Sequence, residues 1–431
     1  MSFDIETTEL AELCEQVIDC PHSTPVWMDA GVIVLRSSNI RNGRLDLSNP
    51  SYTDEYHYQE RSRRAKVQAG DLVITREAPM GEVCLIPDDL KCCLGQRMVM
   101  LRPDHERCDG KYLLYALQSN RVQNEIRSHE GTGSTVSNLR IPVLKSLPIP
   151  TPDLANQKAI AHILGTLDDK IELNRKTNET LEAMAKALFK SWFVDFDPVR
   201  AKAEGRPAGL PAEISDLFPD SFEDSELGDI PSGWEVKALD EIAHFLNGLA
   251  LQKFPPEDGA ATLPVIKIAQ LKKGDSTGAD RCSTSVPEEY VVRDGDLLFS
   301  WSGSLAVDIW SGGDGALNQH LFKVTSKTYN KWFFFQWVKH HLPVFQEIAQ
   351  GKATTMGHIQ RHHLTEAKTL IPAPSLLAAM DSVFAPLLDR AFGLRRQSSE
   401  LSSIRDALLP KLISGEIRIP DAEKMLEAVG I

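Results

Sequence analysis

The chain has 431 residues, enough for two or three domains with their own cores. A hydrophobic share of 42% and a charged share of 25% suit a folded globular protein. No apolar run approaches a membrane span, no leader pattern opens the chain, and the seven cysteines never form Cys-x-x-Cys, so a reducing cytoplasm is the expected setting.

The net charge is 47 − 60 = −13, which at face value argues against nucleic acid. Residues 212–230, however, hold seven acids and no Lys or Arg, so the remainder nets −13 + 7 = −6. Phosphate is met by a local basic face, not by the average of the chain.

In chain order, "GDLVIT" (70–75) joins a turn dipeptide to a β-rich run, and "RMVMLR" (97–102) reads as its partner strand. Lys111–Ile126 carries Tyr and Leu on a helical stripe. "GTGSTVSNLRIPVLKSLPIPTPD" (131–153) ends in a Pro-x-Pro and opens a long helix. Its seam is Ile160, Leu164, Leu167, Ile171, Asn174, Asn178, Leu181, Ala185, Leu188 and Trp192, an unbroken coiled-coil alternation. With about 40 residues, such a helix reaches roughly 60 Å.

After the acidic stretch the order returns. "GDLLFS" (295–300), "HLFKV" (320–324), a helix over Lys331–Ala349 and "GKATTMGH" (351–358) lead to a second Pro-x-Pro and a second seam. That seam is Met380, Val383, Leu387, Arg390, Leu394, Gln397, Leu401, Ile404 and Leu408, with Pro386 expected to bend the helix early or delay its start. The matching segments start 225, 223 and 220 residues apart and in the same order, which marks a duplication. Each half is expected to be an α+β module of mostly antiparallel strands followed by a long helix. Asn174, Asn178, Arg390 and Gln397 give both seams polar centres, the device that fixes helix–helix register. If the helices run antiparallel, the polar centres meet and the molecule is pseudo-twofold symmetric.

The chain shows no catalytic signature. "NPSY" (49–52) and the glycine-rich "SGGDGAL" (311–317) read as a turn and a hairpin loop, and no Gly-x-x-x-x-Gly-Lys-Ser/Thr is present. "PDDLK" (87–91) is too compressed for a nuclease site. His358 and His362 have metal spacing but lack the accompanying Glu, so no metal site is expected.

Binding remains. "YHYQERSRRAKVQ" (56–68) supplies Arg61, Arg63, Arg64 and Lys66 as phosphate contacts. Loop candidates in the first half are Arg36, Ser37, Asn39, Arg76, Gln96, Arg97, Ser134 and Thr135. Their counterparts in the second are Lys267, Gln270, Ser300, Ser302, Gln319, His320, Lys352, Thr354, Thr355 and His358. Such residues form the inventory of major-groove readout, and the halves keep positions while changing residues.

Taken with "ALFKSWFVDFDPVRAKAEG" (187–205) and "RDALLPKLISGEI" (405–417), these motifs resemble the specificity subunits of type I restriction-modification enzymes over nearly the whole chain. The resemblance implies target recognition domains at 1–152 and 233–374, spacer helices at 153–200 and 375–418, an acidic linker at 201–232 and a tail at 419–431. It implies a non-catalytic chain that recognises a bipartite double-stranded DNA site and docks two modification (methyltransferase) subunits and restriction subunits. S-adenosylmethionine, ATP and Mg are expected in those partners, with no cofactor in this chain. The second half lacks the arginine of "TREAPMGEV". Two other readings are a protein-binding adaptor, favoured by the acidic surface, and the specificity chain of a type IIB-like or orphan methyltransferase complex.

Overall fold

The computed structural model describes residues 6–64, 66–129, 138–351, 357–428 and 430. The chain divides into two compact units, Met1–Ile171 with Glu400–Ile431, and Glu172–Ser399. The first is built on β1 (Cys14–Asp19), β2 (Val32–Leu35), β3 (Leu72–Thr75), β4 (Val83–Leu85), β5 (Cys92–Leu94) and β6 (Met98–Pro103). One antiparallel sheet has the order β1-β6-β3-β4, and a smaller one places β2 between Tyr52–Thr53 and β5, parallel to the latter.

The second unit repeats this plan with β7 (His244–Asn247), β8 (Thr262–Ile266), β9 (Leu297–Ser300), β10 (Val307–Ile309), β11 (Gly315–Leu317) and β12 (Leu321–Thr325). Its antiparallel sheet runs β7-β12-β9-β10, and β8 lies parallel to β11 in the other sheet. The expected partner strands pair as read: Leu72 faces Leu101, and Leu297 faces Val324. The turn before each central strand needs glycine, because Gly70 and Gly295 sit at φ of 83° and 89° while donating to Ile86 and Trp310.

Two helices of 40 residues each, α1 (Leu154–Phe193) and α2 (Pro374–Ile413), follow the Pro-x-Pro boundaries. Asp153 caps α1 by accepting from the Asn156 amide, and α2 starts on a proline whose fixed φ suits a first turn. Ile160, Leu164 and Leu167 sink into the core of the first unit with Leu401, Leu408 and Leu412. In the second unit Asn174 meets Gln397 and Glu182 meets Arg395, so the helices pair antiparallel there. The core of that unit is aromatic, with Trp332 stacked on Phe384 of α2 at 4.4 Å.

The architecture is therefore the expected α+β class, one module twice and two long helices, with local differences. The helix foreseen over Lys111–Ile126 is two, Gly110–Gln118 and Asn120–Ser128. Ser119 adopts an extended conformation, donates its hydroxyl to Ala116 and caps the next helix by accepting from the Val122 amide. Pro386 does not delay α2, which begins twelve residues earlier.

The acidic segment is more than a linker. It folds a hairpin, Phe222–Ser225 against Gly228–Pro231, and buries Phe218 and Ile230 in the second core. The apolar residues scattered among its acids account for this. The C-terminal tail contains a helix, Ile419–Ala428, that buries Ala422 and Leu426 in the first core. Among the described residues no helix is long and apolar enough to cross a membrane.

Candidate nucleic-acid interface

In each unit most of the loop candidates gather at one end of the sheets, but Lys66 does not, since its carbonyl accepts from Arg102 at the other end of β6. In the first, the Gly95 amide donates to Leu35 at the end of β2, the Arg76 amide to Arg97, and the Leu139 amide to Arg76. The second unit repeats this wiring: Asn318 donates to Ile266, Trp301 to His320, and Ile359 to Trp301. Arg36 thus corresponds to Lys267, Arg76 to Trp301 and Arg97 to His320. Leu139 and Ile359 lie just beyond residues 130–137 and 352–356, so the candidates Ser134, Thr135, Lys352, Thr354 and Thr355 lie outside the described residues.

Several candidates brace this end instead of facing a ligand, which corrects the sequence reading. Asn39 and Gln270 are both buried, and each accepts from the backbone amide three residues before it, at Arg36 and Lys267. These are equivalent turn caps whose amide oxygens serve the fold, and Asn39 also donates its Nδ2 to Asp46 O. Ser300 is fully buried, donating to Ser304 and Ala306 and accepting from the Ala306 amide. Ser302 is buried against His320 Nδ1 at 2.8 Å.

Arg61 is the sharpest correction. It is 8% exposed, and its guanidinium donates to the carbonyls of Leu94 (3.0 Å), Gly95 (2.9 Å), Ser23 (3.0 Å) and Pro21 (3.4 Å). Burial pushes its pKa down from the usual arginine value, against the pull of Cys93 and Cys20. It staples the turn after β5 to residues 21–23. Its neighbours Arg63, Arg64 and Lys66 stand exposed, with Arg63 paired to Glu60 at the surface.

Arg76 is also a brace. It donates to Asp19 at the end of β1 (2.9 and 3.1 Å), to Leu139 O and to Asn138 Oδ1. At the equivalent place Trp301 donates its indole N–H to Asn247 Oδ1 at the end of β7 (2.8 Å) and to Gln319 O. The arginine missing from the second copy is therefore a structural donor replaced by another structural donor. Sequence reading missed Asp19, Asn138, Asn247 and Trp301, because the only signal was that they lie at similar offsets in the two copies.

What remains presented is smaller. Arg36 is exposed and Ser37 half-buried, while Arg97 is exposed beside Glu77 at 3.3 Å. Gln96 donates to His22 O at 2.6 Å. In the second unit Lys267 pairs with Asp280, Gln319 lies against His320 at 3.3 Å, and His358 bridges Ser302 and packs edge-on to Trp301.

The helices carry their own ties. Asn174, 2% exposed, donates to Gln397 Oε1 at 3.0 Å and Ser398 Oγ at 3.3 Å, while the Oδ1 of buried Asn178 has no hydrogen-bond partner. Arg390 is exposed and is not a register residue; the seam passes through buried Ala391. Charged hubs that the heptad pattern does not reveal mount each module on the pair. Asp168 of α1 accepts from Arg405 of α2 (2.7 Å), Tyr115 (2.7 Å) and Arg44 (3.3 Å). In the second unit Glu182 of α1 accepts from Lys339 and Arg395, and Arg395 of α2 also holds Asp308 of β10. Burial alone would raise the Glu182 pKa, but Lys339 and Arg395 outweigh it and hold the carboxyl below its usual range.

A duplicated α+β module, each copy followed by a helix of 40 residues, is the class of architecture these elements define. The chain belongs to the type I restriction modification DNA specificity family, whose model matches residues 4–183 and 231–379. It is a specificity subunit, the non-catalytic recognition member of such a system. It is 27% identical over 360 residues to the MjaIX specificity subunit of Methanocaldococcus jannaschii, covering 82% of this chain and 78% of that one. To the HindI specificity subunit of Haemophilus influenzae it is 23% identical over 404 residues, covering 81% and 87%. The crystal structure of the S subunit from M. genitalium shares the fold, with a TM-score of 0.57 at 17% identity over 96% of this chain and 97% of that one.

Proposed function

We propose that each copy of the module reads one block of a bipartite duplex DNA target, and that the paired helices set the unread gap and dock two modification subunits. Restriction subunits join that assembly in the cytoplasm, and S-adenosylmethionine, ATP and Mg act in the partners. One observation carries this reading. The two units keep the same backbone wiring at their loop-bearing ends, yet Arg36 and Arg97 of one correspond to Lys267 and His320 of the other, while the glutamine between the wired positions, Gln96 or Gln319, is kept. A constant frame with varied donors is what two readers of different base sequences require.

The test exchanges residues 1–152 for the corresponding module of a relative, coexpresses the chimera with its modification subunits, and maps methylated sites by sequencing. One block should change while the other and the gap persist. A site rewritten at both blocks, or one contiguous block, would overturn the proposal.

A further inference from the structure

We infer that Trp27 is a DNA-deforming residue of the first reader, an indole wedge that packs against a base step and makes local duplex deformability part of the target. The inference rests on the proposal that this unit binds DNA. Val26, Trp27 and Met28 are three consecutive large apolar residues exposed by 44, 46 and 41%. The tripeptide is nevertheless held firmly. The Met28 amide donates to Tyr52 O at 2.9 Å, and the Thr53 hydroxyl donates to Val26 O at 2.8 Å. Trp27 is thus fixed on both sides to the outer edge of the sheet that contains β2, which makes it a rigid projection and not a loose side chain.

Two observations say what covers it. First, Arg36, the exposed residue that follows β2, holds its guanidinium 5.7 Å from the centre of the indole ring and within 3.4 Å of Ser51 Oγ. A cation seated on an exposed aromatic ring complements a polyanion and would be poorly placed against a basic or purely apolar partner. Second, Arg36 belongs to the backbone-wired end that presents Gln96 and Arg97, since Leu35 accepts from Gly95. The apolar projection is therefore continuous with the candidate reading surface. Apolar side chains that enter a stack unpair no hydrogen bonds of their own, and the energy they spend on unstacking is smallest at flexible steps. In the second unit the segment bonded to the equivalent edge strand carries Phe254, whose carbonyl accepts from the Ser283 amide and whose ring is partly buried against the cluster that contains Leu251 and Val265, so among the described residues no aromatic projects there as Trp27 does. The deformation is accordingly confined to the first block.

The experiment uses the full chain copurified with its modification subunits and duplexes carrying the site found by methylation mapping. 2-Aminopurine is placed in turn at each position of the first block. Fluorescence should rise at one step on binding, and that rise should vanish in Trp27→Ala but survive largely in Trp27→Phe. Trp27→Ala should weaken cognate binding about tenfold or more, with an unchanged salt slope because every phosphate stays neutralised as before. A mismatch at the reporting step, which removes the unstacking cost, should restore part of that affinity. Thermal melting equal to wild type checks that the variant is folded. Wild-type binding without any 2-aminopurine response, or Trp27→Ala binding within twofold of wild type, would overturn the wedge while leaving bipartite reading intact. Failure of the wild-type complex to prefer cognate duplex would remove both.

Discussion

Arg61 and its neighbours separate a brace from a reader by experiment. Arg61→Ala removes donors to four backbone carbonyls, of which those at Leu94 and Gly95 are in buried bonds and would be left without a partner. A buried acceptor stripped of its donor costs about 1–3 kcal/mol, and the partly solvated bonds to Pro21 and Ser23 recover most of theirs from water. The expected destabilisation is about 4 kcal/mol for the first unit, two such acceptors at the middle of that range. With a slope of about 2 kcal/mol per molar urea, that moves the midpoint down by about 2 M at unchanged slope. Arg63→Ala/Arg64→Ala/Lys66→Ala should instead melt within about 0.5 kcal/mol of wild type, because exposed charges contribute little to stability. It should lower the salt dependence of DNA binding by about 0.9 for each phosphate that is no longer neutralised. The two measurements, urea denaturation and affinity against salt concentration, therefore move in opposite variants. If Arg61→Ala melts like wild type and flattens the salt dependence by one phosphate's worth, the guanidinium faces DNA and the stapling argument fails.

His341 is pushed down to about 4 by burial first and by His340 second, while its Nε2 donates to Lys368 O. A folded pKa below the unfolded value of about 6.5 means stability is intact above pH 6.5 and falls as pH drops towards 4, by at most about 3 kcal/mol. His341→Gln should flatten that stretch of the stability–pH curve of the second unit, and an equally steep curve would assign the acid sensitivity elsewhere. Trp301→Phe keeps the ring but removes the donor to Asn247 and Gln319, so the second unit should be weakened by about 1–2 kcal/mol in thermal or urea melts. Full stability combined with relaxed specificity at the second block would make Trp301 a reader instead of a brace.

Much of this protein was legible in its residues alone. The duplication, the strand pairs after "GDLVIT" and "GDLLFS", and the boundaries at which both helices start depend on turn chemistry and periodicity, which are local properties. The seams were legible for the same reason, and Ile160, Leu164, Leu167, Met380, Leu401 and Leu408 are buried as their spacing requires. Tertiary structure alone decided which polar residues face outward. "ERSRRAK" offers four similar cations, but only Arg61 points under the turn after β5, because the helix Glu55–Arg61 ends against it. Arg390 held a seam position by counting, yet the chain turns Ala391 inward there, since a 3.6-residue helix drifts against a strict heptad. The roles of Asp168, Glu182, Arg395 and Arg405 depend on partners 53 to 237 residues away in the sequence. No local pattern encodes such a meeting, because it follows from how modules and helices pack.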